Sequence, residues 1–337
     1  MNNSPITFFR HPLPGRSQGL TLIELMISLA LGMLVILSVG YAYIGSRTTF
    51  RQQDALGRMQ ENARFVFETL SNDIRMVGYA GSLCGLLDTD VVNALPSPTN
   101  WDKDIFSTLP QNGIPLRGYE DAATTAPDVS GTVYAGTSSD ALSVLHADST
   151  REYVVNAAAA AGAAISFSGT APANGNVVVT DCGNAKPRQA FALASNVNAL
   201  TTPIAAQSRI MPLIANLYFV KANGDGTPSI YRKSGAAIPQ ELVEGVEDMQ
   251  ITYGIDTSPA CATNDGGADQ YVTAKDIEDN TVALACTTAE RWKKVLAVRV
   301  TLSMRSVEDG ITTAVQPAGD RRLRKTFTTT IAARNRL

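Results

Sequence analysis

The chain has 337 residues and a net charge of −3. Its composition is ordinary for a globular protein, and the mild acidity excludes the basic footprint of a nucleic-acid-binding surface. That length leaves room for an anchor plus one large domain or two small ones.

In chain order, the first feature is a polar leader, basic at Arg10 and Arg16, that ends at Gly19. From Leu20 to Gly45 the chain is almost entirely apolar, interrupted by Thr21, Glu24, Ser28 and Ser38. This exceeds the ~20 residues that span a bilayer and the ~7–15 apolar residues of an ordinary signal peptide. Arg10 and Arg16 favour a cytoplasmic N-terminus, although Arg47 and Arg51 beyond the run weaken that asymmetry. A conventional signal peptide would be cut near Ala42 to Ser46, and a plain anchor would not be cut at all. Neither accounts for Glu24, since a charge at a bilayer centre costs about 2.5–3.5 kcal/mol. Neither accounts for a glycine at the polar-to-apolar junction.

Between Gly15 and Pro96 there is no proline, so nothing forces a helix to stop at the membrane edge. After Gly45 the pattern becomes amphipathic: Leu56, Met59, Ala63, Val66, Leu70, Ile74 and Val77 recur at intervals of three or four. Gly78 is the expected C-cap. The spacing predicts one helix from Leu20 to Val77, roughly 85 Å long at about 1.5 Å per residue. Its anchor half spans 20–45 and its amphipathic half 46–78, ahead of a β-rich head over 79–337.

From Leu86 to about Asp128 the chain is rich in Pro, Asn, Asp, Thr and Gly and reads as an irregular loop region with short elements. Short strands are expected at Ala141–His146, Glu152–Val155, Ala164–Phe167 and Asn176–Thr180. The alanine run Ala157–Ala164 reads as a surface loop. Asn216–Ala222 and Ser229–Lys233 form a hairpin around Asn223-Gly224-Asp225-Gly226. Met249, Ile251, Tyr253 and Ile255 alternate with polar or small residues, as do Leu296 to Met304 and Phe327 to Ile331. Such alternation means an antiparallel sheet with one buried and one wet face. The amphipathic helix is its natural cover, giving an α+β architecture.

The four cysteines are Cys84, Cys182, Cys261 and Cys286; all follow the apolar run and none forms a CxxC pair. In an exported chain this suggests disulfides. The expected pairs are Cys84–Cys182 and Cys261–Cys286, because the latter two bracket one polar loop. Free buried thiols are the alternative.

Chemistry-bearing motifs are sparse. Beyond the leader the single histidine is His146, near Asp148 and Ser149, and reads as a half-exposed strand residue rather than a hydrolase triad. No phosphate-binding loop is present, and no cofactor or metal site is expected. Glu247-Asp248 and Glu278-Asp279 are expected to be solvated. Arg321-Arg322 and Arg324-Lys325 read as a solvated turn before the last strand. An enzyme is therefore not expected.

Gly19-Leu20-Thr21-Leu22-Ile23-Glu24, with the apolar run behind it, resembles the class III signal of type IV pilins and type II secretion pseudopilins. Asn216-Leu217-Tyr218-Phe219-Val220, Leu242 to Gln250, Trp292 to Val300 and Phe327 to Asn335 narrow the resemblance to minor pilins of the PilW type. Asp181-Cys182 also fits that family, whereas Leu86 to Gly175 matches nothing. The chain departs from many major pilins in having Leu20 where they have Phe, and in lacking a helix-kinking proline near Tyr41.

The resemblance implies cleavage after Gly19 by a prepilin peptidase and methylation of the Leu20 amine. It implies that Glu24 attracts the N-terminal amine of a neighbouring subunit. The implied partners are other minor and major pilins, the inner-membrane assembly platform, the lipid bilayer and a large tip adhesin. The implied role lies in a priming or tip complex. The rival readings are a GspJ-like type II secretion pseudopilin and a periplasmic binding module that is anchored but never polymerises.

Overall fold

The structure is a computed structural model that describes residues 19, 21–81, 91–96, 101–103, 114–127, 138–170, 175–181, 188–194, 197–198, 203–261, 266–316 and 318–333. Its elements begin with α1 (Leu22–Met76), β1 (Val91–Asn93), β2 (Leu116–Tyr119) and α2 (Ala122–Thr125). Then come β3 (Ala141–Ala147), β4 (Tyr153–Val154), β5 (Gly175–Thr180), β6 (Arg188–Ala194) and β7 (Val197–Asn198). They are followed by β8 (Arg209–Ala222), β9 (Pro228–Ser234), β10 (Gln240–Glu244), β11 (Val246–Ile255) and β12 (Gln270–Val272). Last come α3 (Ala274–Glu278), α4 (Thr288–Lys293), β13 (Val295–Arg305) and β14 (Arg324–Ala332).

Contacts divide the chain into two units between Gln53 and Asp54. In the first unit the described structure is essentially helical, and its apolar side chains from Leu22 to Ile44 are exposed on every face. The second unit holds two sheets. One runs β1-β6-β5-β8-β3-β2, with β9 and β10 added alongside β8; the other runs β12-β11-β13-β14. Only β1 and β6 run parallel among the described pairings. The result is an α+β fold.

The alternating faces read from the sequence explain the core. Met249, Ile251 and Tyr253 on β11 oppose Leu302, Val300 and Val298 on β13. These residues cluster with Met59, Ala63, Val66, Leu70 and Ile74 of α1, with Leu142 and Val144 of β3, and with Tyr218 and Val220 of β8. Fully burying each large side chain contributes about 1.5–3 kcal/mol, so this helix face is what binds both sheets into one core. α1 ends where expected: Gly78 takes φ +74, and its N–H donates to Leu145 O at 3.0 Å.

The expected hairpin is present, as β8 and β9 pair from Asn216↔Ser234 to Ala222↔Pro228. Gly226 supplies the positive φ of its turn. Two expectations need correction. Ala164–Phe167 is not a continuous strand: its two ends, Ala164 and Phe167, are isolated bridges, that of Phe167 to Val155. The alanine run is not wholly a surface loop either: Ala159 is buried and bridges Ile204. Both segments are too short to show a period, so their state is decided by what they pair with, Val155 for the first and Ile204 for the second.

The two sheets are also stitched by polar groups. Asp140 donates its N–H to Met249 O, and its Oδ2 accepts the Ile251 N–H, each at 2.8 Å. Its Oδ1 is buried without a hydrogen bond. Burial pushes the Asp140 carboxyl up to about 7; the Ile251 N–H opposes that rise and the Glu120 charge adds to it. An acid whose folded value lies above its unfolded value loses stability as pH rises between the two. Asp140→Asn keeps an acceptor for Ile251 and removes the charge. It is expected to stabilise the protein by about 2 kcal/mol at pH 8, a gain that vanishes near pH 4. Thermal melts at the two pH values check this.

Candidate functional site

Gly19 and Thr21 are described, whereas Leu20 lies outside the described residues. The Glu24 N–H donates to Thr21 Oγ1 at 3.3 Å, and the Leu25 N–H donates to Thr21 O at 3.2 Å. Thr21 therefore caps α1, and Glu24 occupies the third helical position. Thr-x-x-Glu is the sequence pattern of a capping box, a signal present in the sequence that the reading above did not use. A carboxylate in the first turn also meets the positive end of the helix dipole.

Glu24 is thus one turn from the junction, among apolar neighbours: Leu22, Ile23, Leu25 and Met26 are all more than half exposed. An apolar helix with no buried face needs lipid or other apolar helices around it. α1 contains a stretch long and apolar enough to cross a membrane. Its hydroxyls are suited to that setting, since Ser38, Thr48 and Thr49 each donate to the carbonyl four residues back.

Residues 15–40 match the family model of the prokaryotic N-terminal methylation motif, and residues 217–335 match that of the type IV pilus-assembly protein W. Both matches point to a pilin of the PilW type. No curated protein and no solved structure matches it. The PilW region begins inside β8 and takes in β9 to β14 with α3 and α4, including the whole four-stranded sheet. The methylation motif contains Gly19, Leu20 and Glu24 and runs into the exposed apolar part of α1. Together they make this a membrane-anchored structural component of pilus assembly.

Within the PilW region Cys261 and Cys286 form a disulfide with Cα atoms 5.6 Å apart. Cys84 and Cys182 lie outside the described residues. The disulfide closes the segment that carries β12 and α3 and leads into α4. Each of these two helices starts with a capping box, Thr273 with Asp276 and Thr287 with Glu290. Arg291 is buried there and donates to the carbonyl oxygens of Ile277, Cys286 and Glu278.

Three groups expected to be solvated are instead engaged. Glu247 accepts from Arg324 at 2.8 Å through both carboxylate oxygens, and Arg305 stands at 3.4 Å. Arg324 also pairs with Asp320, which holds the Asp320 carboxyl down to about 2. Glu278 accepts from Trp292 Nε1 at 2.8 Å and from Arg117 Nε at 3.1 Å. Apart from Asp320, four residues before Arg324, these partners come from other strands or helices, so sequence neighbours gave no hint of them.

His146 is likewise corrected: it is 5% exposed, not half-exposed. Its acidic partner is Asp73, at 3.5 Å from Nε2, while Asp148 accepts from Thr150 and Arg151. That arrangement differs from a His146–Asp148–Ser149 triad.

Proposed function

We propose that this chain is a minor pilin, cleaved by a prepilin peptidase between Gly19 and Leu20 and methylated on the new Leu20 amine. The mature chain resides in the bacterial inner membrane. It then passes through the assembly platform into a type IV pilus, where it joins other minor and major pilins in a priming or tip complex. A large tip adhesin is a further partner. The observation that carries this reading is Glu24: a carboxylate one turn into an apolar helix, beside the glycine of the methylation motif. An isolated anchor has no need of it. A GspJ-like secretion role shares the signal, but the matched W family is named for type IV pilus assembly.

Intact-protein mass spectrometry tests the processing. Wild-type protein is expected to begin at Leu20, and Gly19→Val is expected to retain the mass of residues 1–19. A mature wild-type protein that begins elsewhere overturns the cleavage site. Crosslinked pull-down of the mature protein tests the role, with other pilins as the expected catch. Recovery of secretion pseudopilins alone would move the chain to a secretion system.

A further inference from the structure

Asp73 lies three residues before the end of α1, and its Oδ2 accepts from Asn216 Nδ2 and from the Tyr218 hydroxyl, each at 2.6 Å. The Asn216 amide is oriented by Ser234, whose hydroxyl donates to Oδ1 at 2.6 Å. The other carboxylate oxygen of Asp73 faces His146 Nε2 at 3.5 Å. On the far side of the ring, Nδ1 stands 3.0 Å from Ala147 O. Both ring nitrogens therefore face oxygen acceptors. A neutral imidazole has one N–H, so either tautomer would aim a nitrogen lone pair at an oxygen lone pair in a buried place. Only the imidazolium supplies a donor to both.

The location gives that charge a consequence. On one side of His146 in sequence, Leu145 O accepts the Gly78 N–H at 3.0 Å; on the other, the Ala147 N–H donates to Tyr79 O at 2.6 Å. The end of α1 and the residues after it are thus seamed to β3 around this side chain. We propose that His146 is held as an imidazolium in the folded protein and acts as a proton-operated latch that clamps the end of α1, through Asp73, to β3.

The charged groups around the ring support the latch. Asp73 faces it from α1, Asp148 follows it in sequence, and Tyr218 on β8 interacts with Arg232 of β9. Burial alone would favour neutral His146. The Asp73 carboxylate beside Nε2, the Ala147 carbonyl and the charge of Asp148 outweigh it, so His146 titrates above its usual 6.5. Burial would raise Asp73, but hydrogen bonds from His146, Tyr218 and Asn216 bring it below its usual 3.8. A histidine raised on folding stabilises fully below its unfolded value and is lost as pH rises through its folded value. An aspartate lowered on folding stabilises above its unfolded value and is lost as pH falls through its folded value. The latch is therefore closed across the interval between; it opens as pH rises through the folded His146 value, which lies above 6.5, and again as pH falls through the folded Asp73 value, which lies below 3.8.

The test uses the full chain in detergent micelles with His11→Ala, which leaves His146 as the sole imidazole. Side-chain nitrogen NMR across pH 5–9 is expected to find both ring nitrogens protonated at pH 7. It is also expected to find amide exchange of Gly78 and Ala147 rising beyond its intrinsic pH dependence as the ring loses its proton. Asp73→Asn, which still offers an acceptor to Tyr218, is expected to lower the His146 midpoint by more than about one unit, tenfold in proton affinity. A neutral ring at pH 7 in folded wild-type protein overturns the proposal without any variant. So does an unchanged midpoint in folded Asp73→Asn, or exchange at Gly78 and Ala147 that ignores the titration.

Discussion

Glu24→Ala is expected to be cleaved normally but to reach pili at no more than about one hundredth of the wild-type level. The junction of Gly19 and Leu20 is untouched, so processing should proceed. The proposed docking step is different, because it places the Glu24 carboxylate against the protonated amine of another subunit where water is scarce. Removing one member of such a pair leaves the other unpaired, at about 3–5 kcal/mol. Each 1.4 kcal/mol is about tenfold, so the loss exceeds two orders of magnitude. Thr21 adds a competing explanation: its bond to the Glu24 N–H survives the substitution, but in a Thr-x-x-Glu pattern the glutamate side chain also serves the cap, a device of about 0.5–2 kcal/mol. Glu24→Gln separates the two, because glutamine retains the capping box and loses the charge. Quantitative blotting of sheared pili should find Glu24→Gln as poorly incorporated as Glu24→Ala. Normal incorporation of the glutamine variant would leave the cap as the role of Glu24 and remove the docking charge.

The second large effect lies in the PilW region. Trp292→Ala is expected to destabilise the protein by about 3–5 kcal/mol, the range for large aromatic truncations in a core. Trp292 is fully buried, packs edge-on against Tyr253 with ring centroids 5.0 Å apart, and donates to Glu278. Glu278 in turn holds Arg117 of β2. The truncation opens a cavity between α4 and β11 and removes one partner of the carboxylate that ties α3 to β2. Trp292→Phe keeps one aromatic ring but loses the N–H donor and the five-membered part of the indole, for about 1–3 kcal/mol. Denaturant melts of the full chain in detergent, followed by circular dichroism, give both numbers. A cost below about 1 kcal/mol for the alanine variant would place α4 outside the cooperative core.

Much of this was legible residue by residue. The stripe from Met59 to Val77 predicted the buried face of α1, and the alternation in Met249–Ile255 and Leu296–Met304 predicted the paired strands. Gly78 marked the helix end and Asn223–Gly226 the hairpin turn. The signal motif needed no fold at all. By contrast, β8 was read only from Asn216 onward, because Pro212 and mixed residues obscure its first half. The short helices α3 and α4 were missed although both carry Thr-x-x-Asp or Thr-x-x-Glu boxes.

What the sequence determined by itself was therefore the apolar anchor with its acid and the glycine of the methylation motif, the helix face and the β periodicity. Each is a local property, set by composition and spacing within a few turns or a few strand residues. Tertiary structure alone decided the state of the polar residues. His146 meets Asp73 across 73 positions of chain, and Glu247 meets Arg324 across 77. Burial and pairing set a charge's energy, and both depend on neighbours that only the folded chain brings within a few ångströms.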